Sequence, residues 1–237
     1  MNGSEWPASD RELVDLQHRL ARAADAALAD DPWSPPARVI GGCFVAFARG
    51  EQGPGHPGDH AWAAAVAVRI GPAMSDEDVV AQTIVAGQVP AAYTPGLLAR
   101  REGPVLAAAV MALDVRPDVL LVDATGLDHP RRAGLALHLG AAIDLPTVGV
   151  THRPLVASGA PPELRRGATA PVELDGRLVG FWVCTRNRTR PVIAHAGWRS
   201  TPQTAAHVVL AASTPAARTP VPLQQARRLA RKTRAFA

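Results

Sequence analysis

The sequence predicts a mixed α/β fold. An antiparallel set of strands comes first, then parallel strands joined by helices, with further helices flanking the sheet. Three observations lead there. Two strand-like apolar runs, residues 39–48 and 61–70, are separated by a loop rich in Gly and Pro, which suits an antiparallel pair. From residue 95 onward, segments of helical spacing alternate with short apolar runs in β-α-β order. Those short runs are apolar throughout, as strands buried on both faces of a parallel sheet must be. With 237 residues, 47% hydrophobic and 19% charged, the chain is long and apolar enough for a packed core.

The elements follow in order. Ser9 precedes Glu12 by three residues, a capping-box pattern. Leu13, Leu16, Leu20, Ala23 and Ala27 then recur at helical spacing, so residues 10–29 are read as an amphipathic helix. Residues 31–36 contain three prolines and read as a linker, setting 1–36 apart from the rest of a single predicted domain, 1–237. Residues 39–48 (VIGGCFVAFA) form the first predicted strand, 49–60 a loop, 61–70 a second strand and 79–87 a third. Residues 95–113 are predicted helical, 118–123 a strand ending in an acid, 131–143 helical and 147–150 a strand. Asp175-Gly176 between apolar runs signals a hairpin over 171–185. A last strand is expected at 191–196, and closing helices at 201–212 and 222–235.

The formal net charge is +4 and the pI about 10.0. The basic residues are arginines apart from Lys232, so a mechanism needing a lysine in the body of the protein is excluded. A modest positive balance is compatible with a polyanion partner. The basic tail RRLARKTR is read as a solvated helix face. Two cysteines, Cys43 and Cys184, make neither a disulfide framework nor a zinc site, which suits a reduced, cytoplasmic setting. The N-terminal residues lack an apolar signal core, and no apolar run reaches the length of a membrane span. A P-loop and a Gly-x-Ser-x-Gly elbow are absent from the sequence. His56 and His60 flank Asp59 in the Gly/Pro loop and are read as solvated rather than as metal ligands.

Antiparallel strands followed by β-α-β units, with acids near strand ends, form the layout of ribonuclease H-like folds. Such folds hold two divalent ions on carboxylates, and hard oxygen ligands suit Mg²⁺. The motifs are more specific than the layout. Residues 93–130 read YTPGLLARREGPVLAAAVMALDVRPDVLLVDATGLDHP. With RRAGLALHLGAAIDLPTVGV, GRLVGFWVCTR and PVIAHAGWRSTPQTA after it, this resembles the endonuclease V family of deoxyinosine 3′ endonucleases.

The resemblance implies cutting near hypoxanthine in DNA or RNA, a DNA-repair role, with Mg²⁺ or Mn²⁺ as cofactor. It places Tyr93 as the wedge that fills the gap left by an extruded base, a task that an aromatic ring performs by restoring stacking. It places Gly96 and Gly126 where backbone approaches the flipped base. It assigns Glu102 and Asp123 as metal-ligand acids and His129 as a group near the catalytic site. Ala124 stands where the family has glycine.

Three family positions differ. Phe44 stands in place of the first strand's aspartate, His152 in place of a lysine, and Trp198 in place of a histidine. Strand side chains alternate faces, so Phe44 is expected to point into the site and Cys43 into the core. Together these changes take from one site an anionic ligand, a fixed cation and an imidazole, and so weaken the hold on a hard dication. His152 either joins Glu102 and Asp123 as a ligand for Mn²⁺, Fe²⁺ or Zn²⁺, or fills a strand end. His195, three residues before Trp198, is a further imidazole in this neighbourhood.

Three functions remain open on these residues. The first is a family member that binds inosine-type nucleic acid with impaired hydrolysis, in effect a pseudoenzyme. The second is an active nuclease with a modified metal site. The third is a family fold recruited to a small molecule or a protein partner.

Overall fold

The computed structural model describes residues 6–48, 53–71, 74 and 78–236. The expected order of elements is found: α1 (Asp10–Asp30), β1 (Val39–Phe47), β2 (His60–Arg69), β3 (Val79–Gln88), α2 (Leu98–Met111), β4 (Val119–Val122), α3 (Leu135–Ile143), β5 (Thr147–Thr151), β6 (Thr169–Leu174), β7 (Arg177–Val183), β8 (Val192–Ala196), α4 (Pro202–Ala211) and α5 (Val221–Ala235). Residues 49–52 of the predicted loop lie outside the described residues.

The eight strands form one mixed sheet in the order β3-β2-β1-β4-β5-β8-β7-β6. β1, β4 and β5 run parallel at its centre, and the remaining pairings are antiparallel. The all-apolar β4 (VLLV) is buried along its whole length, as a strand covered on both faces must be. α2 and α3 pack on one face with Leu106, Leu120, Val122 and Cys43 between them and the sheet. α4 and α5 cover the other face.

Local chemistry sets the boundaries. Ser9 Oγ accepts from the Glu12 N–H, and Glu12 Oε2 accepts from the Ala8 N–H, so α1 starts on its capping box. Asp175 and Gly176 both have positive φ, 51° and 73°, the type I′ pair that closes the β6–β7 hairpin. α3 starts four residues later than its periodicity predicts. Residues 131–134 turn instead, with Arg132 at φ 53°, and the Arg131 side chain leaves the helix direction to reach Gln17 and Gly96. α2 likewise starts at Leu98, because Gly96 at φ 75° breaks the helical run.

α5 is placed by a glycine. A Cβ at Gly42 would lie 2.4 Å from the Pro222 carbonyl carbon, so only glycine lets the first turn of α5 lie directly on β1. From there α5 and β1 advance together. Phe44 lies two strand residues beyond Gly42, roughly 7 Å. Arg227 lies five helical residues beyond Pro222, roughly 7.5 Å. The two therefore come level, and Arg234 Nη1 further along reaches the Phe47 carbonyl at 3.3 Å.

Candidate functional site

The parallel strands end where the candidate residues gather. The last paired residues of β1 and β4 are Cys43 and Val122, so Phe44 and Asp123 follow side by side. Cys43 and Val122 belong to the core cluster beneath α2. Phe44 lies on the opposite face, partly buried against α5. Cys43 is therefore a core residue, as expected, and its thiol is pushed up by burial and by the nearby Asp123 and Glu102 carboxylates.

Arg227 on α5 occupies the space between Phe44 and Asp123. Its Nη2 donates to Asp123 Oδ2 at 2.7 Å, and its Cζ lies 5.1 Å from the Phe44 ring centroid. One turn later, Arg231 holds its Cζ 5.6 Å from the same centroid. Glu102, in the second turn of α2, is close enough to sense Asp123. Burial first, and then the Asp123 charge, push its carboxyl up to about 7, against the pull of Arg101. Arg101 is itself buried. It pairs with Asp59 at 2.8 Å, donates to the Ala91 carbonyl and lies over Phe47, so it clasps the 53–59 loop to the start of α2. Asp59 is thereby spent inside its loop, where it also accepts the His56 N–H at 2.7 Å.

Beside this edge lies a cavity of about 150 Å³, lined among others by Tyr93, Gly96, Ala124, Thr125, His129 and Thr151. An apolar cavity near that size takes one small aromatic ring. Tyr93, the only tyrosine, is 45% exposed at the rim, with its N–H anchored to the Pro54 carbonyl. The Gly96 carbonyl accepts three donors: Gln17 Nε2 at 3.0 Å, His129 Nε2 at 3.0 Å and Arg131 Nη2 at 2.8 Å. Gln17 Oε1 in turn accepts from Arg131 Nε at 2.6 Å, so α1, the Gly96 turn and the 129–131 turn are tied at one point.

His129 is held at both ring nitrogens. Its Nδ1 accepts the Arg131 N–H at 3.2 Å, so the proton sits on Nε2 and is given to Gly96. Burial lowers its pKa to about 4, so the ring is a neutral prop in the cavity wall. Gly126 packs against the Ala196–Gly197 backbone. A Cβ there would lie 1.9 Å from the Ala196 carbonyl oxygen, so strand packing demands the glycine.

Trp198 is not in the site. Its backbone carbonyl accepts the Thr147 N–H at the start of β5, whereas Asp123 follows the end of the parallel neighbour β4. Its side chain is buried in the cluster that holds Leu137 and Ala141 of α3. His195 is buried between Thr151 and Asp128. Its Nε2 lies 2.7 Å from Thr151 Oγ1, which also donates to the Arg153 carbonyl, and its Nδ1 lies 3.7 Å from Asp128 Oδ2.

His152 is exposed beside Asp123, Arg227 and Arg218. Burial of its ring, and then Arg218, lower its pKa. Among the described residues, no three His, Cys, Asp or Glu side chains group as a metal site, so of the two alternatives for His152 the three-ligand one has no cluster behind it. The residues present do not fit a pair of hard dications. The Phe44 ring beside Asp123 offers no oxygen ligand, and Asp123 already accepts a guanidinium that brings its own positive charge.

Comparison with known proteins agrees with the fold and motifs. The Endonuclease V family model matches residues 22–228. The chain belongs to the endonuclease V family. It is 36% identical to endonuclease V of Methanopyrus kandleri over 201 residues, covering 84% of this chain and 79% of that protein. The crystal structure of endonuclease V from Streptomyces avermitilis superposes with a TM-score of 0.82 at 33% identity, covering 98% of this chain and 96% of that one. Endonuclease V of Ciona intestinalis, in complex with a 24-mer DNA containing an inosine, shares the fold with a TM-score of 0.72 at 19% identity, covering 95% and 98%. The mixed eight-stranded sheet is thus the ribonuclease H-like sheet of endonuclease V proteins.

Arg227 is the site residue that sequence reasoning missed. The RRLARKTR tail reads as a solvated face, yet α5 turns two of its arginines onto Phe44. No local signal in the sequence sets Arg227 apart from the other arginines of α5. Among the described residues, no helix is long and apolar enough to cross a membrane.

Proposed function

We propose that this endonuclease V family member binds nucleic acid, DNA or RNA, carrying an inosine-type base and has lost or impaired metal-dependent phosphodiester hydrolysis. One observation carries the reading: Arg227 is bonded to Asp123 and stacked beside Phe44, so the carboxylate that would bind an ion is already neutralised. Base binding is supported by the cavity, which presents a ring-sized space behind an exposed tyrosine. In this reading Tyr93 fills the vacated stack, Gly96 and Ala124 flank the flipped base, and His129 stiffens the wall. Buried, unpaired Cys43 and Cys184 accord with a reducing, cytoplasmic setting.

A second reading, an active nuclease with a modified metal centre, draws on the nearness of Glu102 and Asp123. One assay separates the two. An inosine-containing oligonucleotide is incubated with the protein in Mg²⁺ or Mn²⁺, and its binding is followed by fluorescence anisotropy. Binding without product is expected. Cleavage that disappears in both Glu102→Ala and Asp123→Ala overturns the proposal.

A further inference from the structure

The same edge of the sheet carries two arginines with unused donors. We propose that Phe44, Arg227 and Arg231 form a phosphate clamp, which takes an anionic oxygen of the bound strand's backbone directly, with no divalent ion between. The inference rests on the nucleic-acid-binding reading above and adds how the backbone is held.

Arg227 and Arg231 are one helical turn apart on α5, so their side chains leave the same face of the helix. Both guanidiniums lie over one ring, at 5.1 and 5.6 Å from its centroid. A ring at that range attracts the cation and restricts its rotamers, so less entropy is lost when an anion arrives. Arg227 gives one Nη2 donor to Asp123, while its Nε is buried and has no hydrogen-bond partner among the described residues. Arg231 is exposed and has no carboxylate partner among the described residues. After the Asp123–Arg227 pair cancels, one full positive charge remains beside the aromatic ring.

A dication at this point would meet two guanidiniums. A phosphate oxygen would meet a preformed fork, the geometry that arginine offers to phosphate and an ammonium does not. Such a clamp supplies charge and position but no activated water, so it holds a strand without cutting it. The placement depends on Gly42, which seats α5 on β1 and brings both arginines level with Phe44.

The test uses the full chain and two single-stranded oligonucleotides that differ only in inosine or guanine at one position. Anisotropy is read in EDTA and in Mg²⁺ across a series of KCl concentrations. Equal affinity in EDTA and Mg²⁺ is expected. Arg231→Ala is expected to weaken both oligonucleotides by about 5- to 10-fold and to lower the salt slope by about 1, leaving their ratio unchanged. Arg231→Lys, which keeps the charge, is expected to retain the slope. Circular dichroism confirms folding of each variant.

Wild-type affinity and slope in Arg231→Ala overturn the clamp, while a persisting preference for inosine leaves the base-binding reading intact. Binding that appears only on adding Mg²⁺ or Mn²⁺ also overturns the clamp alone. No binding in any buffer overturns both.

Discussion

The Nη2 of Arg227 donates to Asp123 Oδ2 at 2.7 Å while the same guanidinium lies 5.1 Å from the centre of the Phe44 ring. Residues 44, 123 and 227 come from a strand, the end of a neighbouring strand and a C-terminal helix, yet they act as one unit. The pair is about one-quarter to one-third exposed, so its worth to stability is modest. Its consequence is chemical: a carboxylate at the edge of the sheet is spent on an internal cation.

Restoring a carboxylate alone should not restore a metal site. In Phe44→Asp the new acid would meet Arg227 and pair with it. The double variant Phe44→Asp, Arg227→Ala frees both carboxylates, and its Mn²⁺ affinity should exceed that of wild type and of Phe44→Asp by about tenfold or more, since each freed ligand adds both an oxygen and a charge. Calorimetric titration checks this. Equal affinity in all three folded proteins would show that Arg227 does not hold the ion's place.

Stability should fall on mild acidification. Burial holds His138 and His195 neutral in the fold, with pKa values of about 4 against 6.5 for an ordinary histidine. The unfolded chain therefore takes up protons first. The contribution is fully present above pH 6.5 and is lost as pH drops from there toward 4, at a limiting slope of about 1.4 kcal/mol per pH unit for each histidine. Urea midpoints at pH 7, 6, 5 and 4.5 test the trend, and His138→Gln should flatten it. A midpoint that stays constant from pH 7 to 4.5 would contradict it.

Asp128 should be among the most sensitive polar positions. Its buried carboxylate accepts the N–H groups of Leu155, Val156 and Ala157 at 2.8, 2.9 and 2.8 Å. Asp128→Ala should destabilise the protein by about 3 kcal/mol or more, because several buried donors lose a charged acceptor together. Hydrogen exchange at 155–157 should accelerate well beyond the global change. Unaltered exchange there would refute the assignment.

Gln17 should shape the cavity from outside the family motifs. It is one of three donors on the Gly96 carbonyl and also receives Arg131 Nε. Gln17→Leu keeps the bulk but removes both bonds. The preference for an inosine over a guanine oligonucleotide should drop about 3- to 10-fold, the worth of about one hydrogen bond, with little change in the salt slope. A lowered slope with preference retained would place Gln17 in backbone binding instead.

Periodicity and turn chemistry made most of the fold legible before any coordinates. The capping box at Ser9, the apolar run before Asp123 and the Asp175-Gly176 turn each act within a few residues, and each predicted element is found. Errors cluster where a distant residue outweighs the local pattern. Residues 131–134 carry a helical pattern but turn, because Arg131 is claimed by Gln17, over 100 positions away in sequence. Trp198 follows His195 by three residues, yet the antiparallel strand β8 delivers it to the other end of the parallel strands from Asp123.

By itself the sequence determined the class of fold and the family, because these rest on residue identity, spacing and local propensity. Only the tertiary structure decided what stands between Phe44 and Asp123. Arg227 is 183 positions from Phe44, and nothing local distinguishes it from the other arginines of its helix. The seating of α5 on Gly42 selects it, since a helix and a strand that start in contact and advance at 1.5 and about 3.3 Å per residue meet again only at fixed pairs of positions.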